Sequence, residues 1–254
     1  MKNKKYNLKN IKKFNRKSNS LYVKFLLLPL VTRLSLFFLN YTKLNPINLS
    51  FIGLFFGIIS AFFFYSNQNI YAALFFQISV IFDLIDGLVA RARKEQSVKG
   101  ILSDCYIDII VTTINALAII LGNSENNLIA ILMSAYLVLH YIESWIDFAV
   151  FAIFKHLKQK KNIILDKLDF FLIKIKNILE KKKLRLIFFY YQERYLFIFV
   201  LGPILDKIEF FLLITLIMTF VMINLKVIFD ISLIKYSLVK RKKESFKFRD
   251  TVTE

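Results

Sequence analysis

Six long apolar stretches constrain the fold of this chain more than any other feature. Each is close to the length that a helix needs to cross the hydrocarbon core of a bilayer, about 20 residues. Hydrophobic residues make up 57% of the chain, and only six Gly and three Pro interrupt it, so long helices are expected rather than a turn-rich sheet. The predicted spans are residues 48–65, 70–88, 100–121, 128–154, 186–205 and 208–229. The sequence therefore predicts an all-α membrane protein, a six-transmembrane-helix bundle.

The remaining segments are polar, basic or amphipathic. Residues 1–20 are predicted to form a basic mobile tail, and residues 21–40, which contain Lys24, Pro29 and Arg33, an interfacial amphipathic helix. The membrane-embedded domain then covers 21–229, and a second basic tail covers 230–254. Within the domain, Lys alternates with apolar residues over 155–185. That pattern predicts an amphipathic helix on the membrane surface, with a plain charged linker as the alternative.

The charges between the spans predict how the chain is oriented. Connections rich in Lys and Arg alternate with connections that have almost none. The rich ones hold eleven in 1–47, four in 89–99, eleven in 155–185 and seven from 230 onward, whereas 66–69, 122–127 and 206–207 hold none, none and one. Because basic residues are retained on the cytoplasmic side, we expect both termini and the 89–99 loop to be cytoplasmic.

The formal charge of +18 does not indicate a nucleic-acid partner. The basic residues flank apolar runs, as expected beside an anionic membrane surface, and do not form a patch interleaved with aromatic side chains. The single cysteine, Cys105, excludes an intramolecular disulfide and argues against a zinc cluster.

Four aspartates lie within residues 83–108, beside these apolar runs: Asp83, Asp86, Asp104 and Asp108. On one helix, Asp83, Asp86, Gly87 and Ala90 follow the spacing i, i+3, i+4, i+7 and share a face. On the next helix, Gly100, Asp104 and Asp108 also share a face. The spacing thus predicts that the four carboxylates, called here the carboxylate cluster, converge near the cytoplasmic ends of two neighbouring helices.

Carboxylates next to hydrocarbon must be neutralised, since an unpaired charge there costs several kcal/mol. Hard oxygen ligands without His or Cys are typical of Mg²⁺ or Mn²⁺ sites, and two such ions would balance four carboxylates and hold a phosphate beside Arg91. Two alternatives stay open: salt bridges to nearby bases, and an ion pathway. The bases are Arg91, Arg93, Lys94 and Lys99.

The same stretch resembles the signature of the CDP-alcohol phosphatidyltransferase family, D-x2-D-G-x2-A-R followed by G-x3-D-x3-D. All eight positions match: Asp83, Asp86, Gly87, Ala90, Arg91, Gly100, Asp104 and Asp108. Pro46 and Ser50 also resemble the start of that family's first span, although Ile47 stands where Asn is usual.

The resemblance implies a homodimeric enzyme that transfers a substituted phosphoryl group from a CDP-alcohol to an alcohol acceptor and releases CMP. CDP-diacylglycerol is the favoured donor, and the product a phospholipid or its precursor. By the resemblance, Asp83, Asp86, Asp104 and Asp108 hold two Mg²⁺ or Mn²⁺ ions, and Asp108 is also the general base. Asp83, Gly87, Ala90, Arg91 and Gly100 border the nucleotide and its diphosphate.

Further polar residues lie outside this stretch. Arg33 and Arg194 are candidates for binding an acceptor phosphate, with interfacial anchoring and a helix-entry ion pair with Glu193 as the alternatives. His140, Glu143 and Asp147 share a helix face, where they form either a second polar site or a mutually hydrogen-bonded group. Two other functions compete with the transferase: an ion or proton transporter that uses the carboxylate cluster, and a catalytically idle membrane scaffold.

Overall fold

The structure, a computed structural model, describes residues 6–15, 20–159, 191–224 and 227. These residues are mostly helical and hold no strand. The helices are α1 (Leu8–Ile11), α2 (Leu28–Tyr41), α3 (Pro46–Tyr65), α4 (Asn69–Arg93), α5 (Val98–Gly122), α6 (Asn127–Gln159), α7 (Tyr191–Leu196), α8 (Gly202–Ile204) and α9 (Ile208–Asn224). A 3₁₀ turn (Lys12–Phe14) follows α1, and π-helical turns precede α2 (Val23–Leu27) and join α7 to α8 (Phe197–Leu201).

Five helices are long and apolar enough to cross a membrane: Val23–Tyr41, Pro46–Tyr65, Asn69–Arg93, Val98–Gly122 and Asn127–Ile146. The chain is accordingly a multi-pass membrane protein. Four of the five coincide with predicted spans. The count of six stays a prediction, because the fifth and sixth predicted spans both lie partly outside the described residues.

The helix expected at the interface is present, but its placement in the membrane stays a prediction. Val23–Tyr41 has the length and composition to cross a bilayer. Pro29, which we expected to interrupt it, lies just after the π-helical turn Val23–Leu27, and the helix continues past it to Tyr41. The predicted surface helix at 155–185 and the tail at 230–254 lie outside the described residues, apart from the first positions of the former.

Short capping motifs determine where the helices next to the carboxylate cluster begin and end. Pro46 occupies the first turn of α3, and the Asn45 side chain accepts a hydrogen bond from Ile47 N at 3.1 Å. Helix α4 ends at Lys94, whose φ of 61° is the left-handed conformation that terminates helices. Ser97 then caps α5 by accepting from Gly100 N at 3.0 Å. The connection from α4 to α5 is therefore only residues 94–97 long.

The chain divides into two units, Met1–Leu137 with Arg185–Leu216, and Val138–Leu184 with Ile217–Glu254. The first unit has two apolar cores. One joins the N-terminal residues and α2 to the end of α4, through Ile11, Val31, Leu49, Ile85 and Leu88 among others. The other joins α3, α4 and α5 to the start of α6 and to α7–α9, through side chains that include Phe76, Val111, Met133 and Phe199. Everything described below about the carboxylate cluster belongs to this first unit.

Candidate active site

The carboxylate cluster lies in the second half of α4 and the first half of α5. Asp83, Asp86 and Asp104 each place a carboxylate oxygen within 4.8 Å of the other two. Asp108, the fourth predicted member, is not one of these three. Asp86 is buried, Asp83 and Asp104 are half-buried, and Asp108 is exposed. The structure thus brings together side chains from two helices that the helical spacing placed on facing surfaces.

Ser50 holds the most buried of these carboxylates. Its hydroxyl, on α3, donates a hydrogen bond to Asp86 and lies 3.3 Å from the Pro46 carbonyl oxygen. The resemblance pointed to Ser50 and Pro46 without a role for either residue. Their position shows that the first turn of α3 orients the Asp86 carboxylate.

The donor set fits a divalent cation. Three carboxylates from two helices supply oxygen ligands within a small volume, and the group contains only Asp residues. Mg²⁺ and Mn²⁺ prefer such ligands. Close approach of like charges with a buried member is unfavourable unless a cation or a proton neutralises them, so a bound cation would stabilise this arrangement.

One nearby base is engaged elsewhere and two are exposed, which weakens the salt-bridge alternative. Arg93 donates to the carbonyl oxygens of Phe38 at 3.0 Å, Thr42 at 2.8 Å and Leu44 at 2.5 Å. Lys94 and Lys99 are exposed, and within the described part of the chain they form no ion pair. Of the four candidate bases, only Arg91 is left as a neighbour for the cluster.

Arg91 packs over Gly87 on the same helix. A Cβ atom built on Gly87 would lie 3.2 Å from Arg91 Nη1 and 3.8 Å from Nη2. The absent side chain of Gly87 is therefore the space that the guanidinium occupies. Arg91 Nε donates at 2.8 Å to the carbonyl oxygen of Phe14, a contact that no pattern in the sequence indicated.

A second contact not expected from the sequence joins α7 to α5 one turn beyond Asp108. Thr112 Oγ1 lies 3.1 Å from the Tyr195 hydroxyl oxygen. The only signal in the sequence was that Thr112 follows Asp108 by one helical turn and shares its face. Arg194, singled out from the sequence, is 1% exposed and thus buried beside Tyr195.

The other candidates are placed as follows. Gly100 lies at the N-terminal turn of α5, where a Cβ would approach only the Ser97 hydroxyl, at 3.2 Å. Ala90 is half-buried on α4, and Arg33 is exposed on α2, without a hydrogen bond or ion pair to any residue of the described ranges. In the second unit His140 and Glu143 are both buried, and the side chain of Asp147 lies outside the described part.

Comparison with known proteins gives one result. No individual curated protein matches the chain. The model of a protein family, CDP-alcohol phosphatidyltransferase, matches residues 43–235, a range that contains the whole carboxylate cluster, Ser50 and Tyr195. Because that match covers well over half of the chain and includes the site, this protein belongs to the CDP-alcohol phosphatidyltransferase family.

Proposed function

We propose that this protein transfers a substituted phosphoryl group from a CDP-alcohol, with CDP-diacylglycerol as the favoured donor, to a second alcohol and releases CMP. Its family membership supports an enzyme of this kind. The observation that carries the proposal is the convergence of Asp83, Asp86 and Asp104 within 4.8 Å, since an idle family member would not need this donor set.

In this proposal the four aspartates divide two tasks. Asp83, Asp86, Asp104 and Asp108 hold two Mg²⁺ or Mn²⁺ ions, which when bound would neutralise charge on the diphosphate as CMP departs. Asp108 also accepts the proton of the acceptor hydroxyl, a role that suits its exposure and its position at the edge of the cluster.

The proposed reaction is a single displacement. The acceptor oxygen forms a bond to the phosphorus that carries the lipid alcohol, and the bridging oxygen–phosphorus bond to the cytidylate breaks. Asp108 takes the proton, and CMP leaves with the bonding electron pair. A phosphodiester is the product, and atoms and charge balance without a further reactant.

Residues on either side of the cluster would bind the two substrates. Asp83, Gly87, Ala90, Arg91 and Gly100 would border the nucleotide and diphosphate, where the planar guanidinium of Arg91 can donate to two phosphate oxygens. We propose Arg194 and Arg33 for an acceptor phosphate. The burial of Arg194 next to the Tyr195–Thr112 contact favours Arg194 over the exposed Arg33.

An ion or proton pathway is a weaker explanation of the same residues. A pathway needs carboxylates along the depth of the membrane. Here Asp83 and Asp86 lie in the second half of α4, and Asp104 and Asp108 in the first half of α5. None of the four lies in the opposite halves of these helices, so they do not extend along the whole depth of a span.

The test is CMP release by the purified full-length chain in detergent, supplied with CDP-diacylglycerol and Mg²⁺ or Mn²⁺. The acceptor panel includes glycerol phosphate, inositol phosphate and serine. We expect CMP release that depends on one acceptor, disappears on chelation of the metal, and is lost in Asp108→Asn. Glu95→Gln, which neutralises an exposed carboxylate in the 94–97 connection, is the matched control and should retain activity.

CMP release that is absent with every acceptor, and with CDP-headgroup donors offered to diacylglycerol, would contradict the proposal. Retention of activity in Asp108→Asn would remove the general-base assignment while leaving the transferase intact.

A further inference from the structure

Residues Tyr6–Asn15 contact α2 and α4 in the first unit but lie outside the family match. Tyr6–Asn15, called here the N-terminal segment, contains α1 and the 3₁₀ turn that follows it, whereas the match begins at residue 43. Nothing in the signature therefore accounts for this segment or for its contacts with α4.

Contacts of Ile11 and Tyr6 anchor the N-terminal segment. Ile11 is 0% exposed and belongs to the core that contains the end of α4. Tyr6 and Asn40 exchange two hydrogen bonds, Tyr6 N to Asn40 Oδ1 at 2.8 Å and Asn40 Nδ2 to Tyr6 O at 3.0 Å. The Tyr6 hydroxyl donates to the Ala92 carbonyl at 3.0 Å. The segment is thus attached both to α2 and to the last turn of α4.

The anchored segment delivers one polar group to the site. The Phe14 carbonyl oxygen accepts a hydrogen bond from Arg91 Nε at 2.8 Å. Arg91 directly precedes Ala92, whose carbonyl oxygen accepts from the Tyr6 hydroxyl. The hydrogen bond from Nε to Phe14 restrains the guanidinium, and its Nη atoms lie over Gly87, where no side chain is in the way. A guanidinium held in this way meets a phosphate through its Nη groups, without first losing its rotational freedom.

We propose that the N-terminal segment is a positioning element for the CDP-alcohol donor: anchored by Ile11 and Tyr6, it holds Arg91 through the Phe14 carbonyl in the orientation that binds the diphosphate. The inference rests on the proposed function and deepens it, because it assigns donor recognition partly to residues outside the catalytic signature. It predicts that loosening the segment changes the KM for the donor and leaves the KM for the acceptor unchanged.

The test loosens the segment and measures both substrates. Ile11→Ala removes the buried anchor, and Leu8→Ala is the matched control, because Leu8 lies on the same short helix but is 48% exposed. We expect Ile11→Ala to raise the KM for the CDP-alcohol roughly tenfold, the effect of one well-oriented hydrogen bond to a charged group. The acceptor KM and the kcat at saturating donor should change little, and Leu8→Ala should resemble the unmodified chain.

A double-mutant cycle separates positioning from general destabilisation. Arg91→Lys keeps the charge but lacks the Nε donor. If the segment acts through Arg91, adding Ile11→Ala to Arg91→Lys should raise the donor KM no further. Additive effects, or a fall in kcat with an unchanged donor KM, would overturn the proposal.

Equilibrium binding of CDP distinguishes failure of this inference from failure of the proposed function. We expect CDP to bind the unmodified chain and the Leu8→Ala variant about tenfold more tightly than Ile11→Ala. If CMP release fails but this difference holds, the transferase is wrong and the positioning role stands. If CMP is released but CDP binds all three proteins equally tightly, the transferase stands and the positioning role is wrong. An unmodified chain that does not bind CDP contradicts both.

Discussion

Gly87 contributes to the site near the carboxylate cluster through the space that its missing side chain leaves. The Arg91 guanidinium lies over this space, close to where a Gly87 Cβ atom would be. From the sequence, Gly87 was expected to border the ligand directly. The structure adds an intermediate: the glycine accommodates the arginine, and the arginine is the group proposed to meet the diphosphate.

Gly87→Ala should therefore separate activity from stability. The added Cβ would stand 3.2 Å from Arg91 Nη1, so the guanidinium must move by a few tenths of an ångström. Alanine is also a better helix former than glycine in a helix interior, by about 0.5–1 kcal/mol. We expect the donor KM to rise while the melting temperature in detergent stays the same or increases. A fall in melting temperature would show that the glycine serves packing instead.

Helix packing is also close where α3 passes α5 at Gly57. A Cβ on Gly57 would lie 2.7 Å and 2.9 Å from the two Cγ atoms of Val111. Beside this crossing, Asn115 Nδ2 donates to the Gly57 carbonyl at 3.0 Å, and the Ser60 hydroxyl lies 2.7 Å from Asn115 Oδ1. Small residues and buried hydrogen bonds of this kind hold helices together inside membranes, and here they set the position of the helix that carries Asp104 and Asp108.

Gly57→Ala should destabilise the α3–α5 pair by about 1–3 kcal/mol, as overpacking of a well-filled contact does. Unfolding by denaturant in mixed micelles measures this loss. Val111→Ala removes the two Cγ atoms concerned, so the double variant should be no less stable than Val111→Ala alone. If the two losses add, the glycine is required for a reason other than space.

The sequence predicted helices well where the signal is local. The span at 48–65 became Pro46–Tyr65, and 100–121 became Val98–Gly122, because length and apolarity are properties of the segment itself. The convergence of Asp83, Asp86 and Asp104 also followed from spacing on two adjacent helices. Contacts made by main-chain atoms could not be predicted from the sequence. The Phe14 carbonyl meets Arg91 across 77 positions, and a carbonyl oxygen is common to all residues, so no pattern marks it.

For the whole molecule, the distribution of Lys and Arg predicts that the 94–97 connection faces the cytoplasm and that residues 123–126 face the opposite side. In a Cys105→Ser background, Gln96→Cys should resist a membrane-impermeant thiol reagent in intact cells, whereas Ser124→Cys should react; both positions are exposed. Permeabilised cells, in which both must react, provide the control. The opposite pattern would place the carboxylate cluster on the outer surface and exclude access by cytoplasmic CDP-alcohols.

The three hydrogen bonds of Arg93 also have a consequence for the order of biosynthesis. The Phe38, Thr42 and Leu44 carbonyls at and after the end of α2 receive donors from a residue that follows Leu44 by 49 positions. Because a chain is made from its amino end and its early segments fold first, α2 leaves the ribosome before the residue that caps it exists. Its carboxyl end can be completed only after α4 has been synthesised to its last turn. The smallest folding intermediate with α2 fully capped therefore already contains α3 and Asp83 and Asp86, half of the carboxylate cluster.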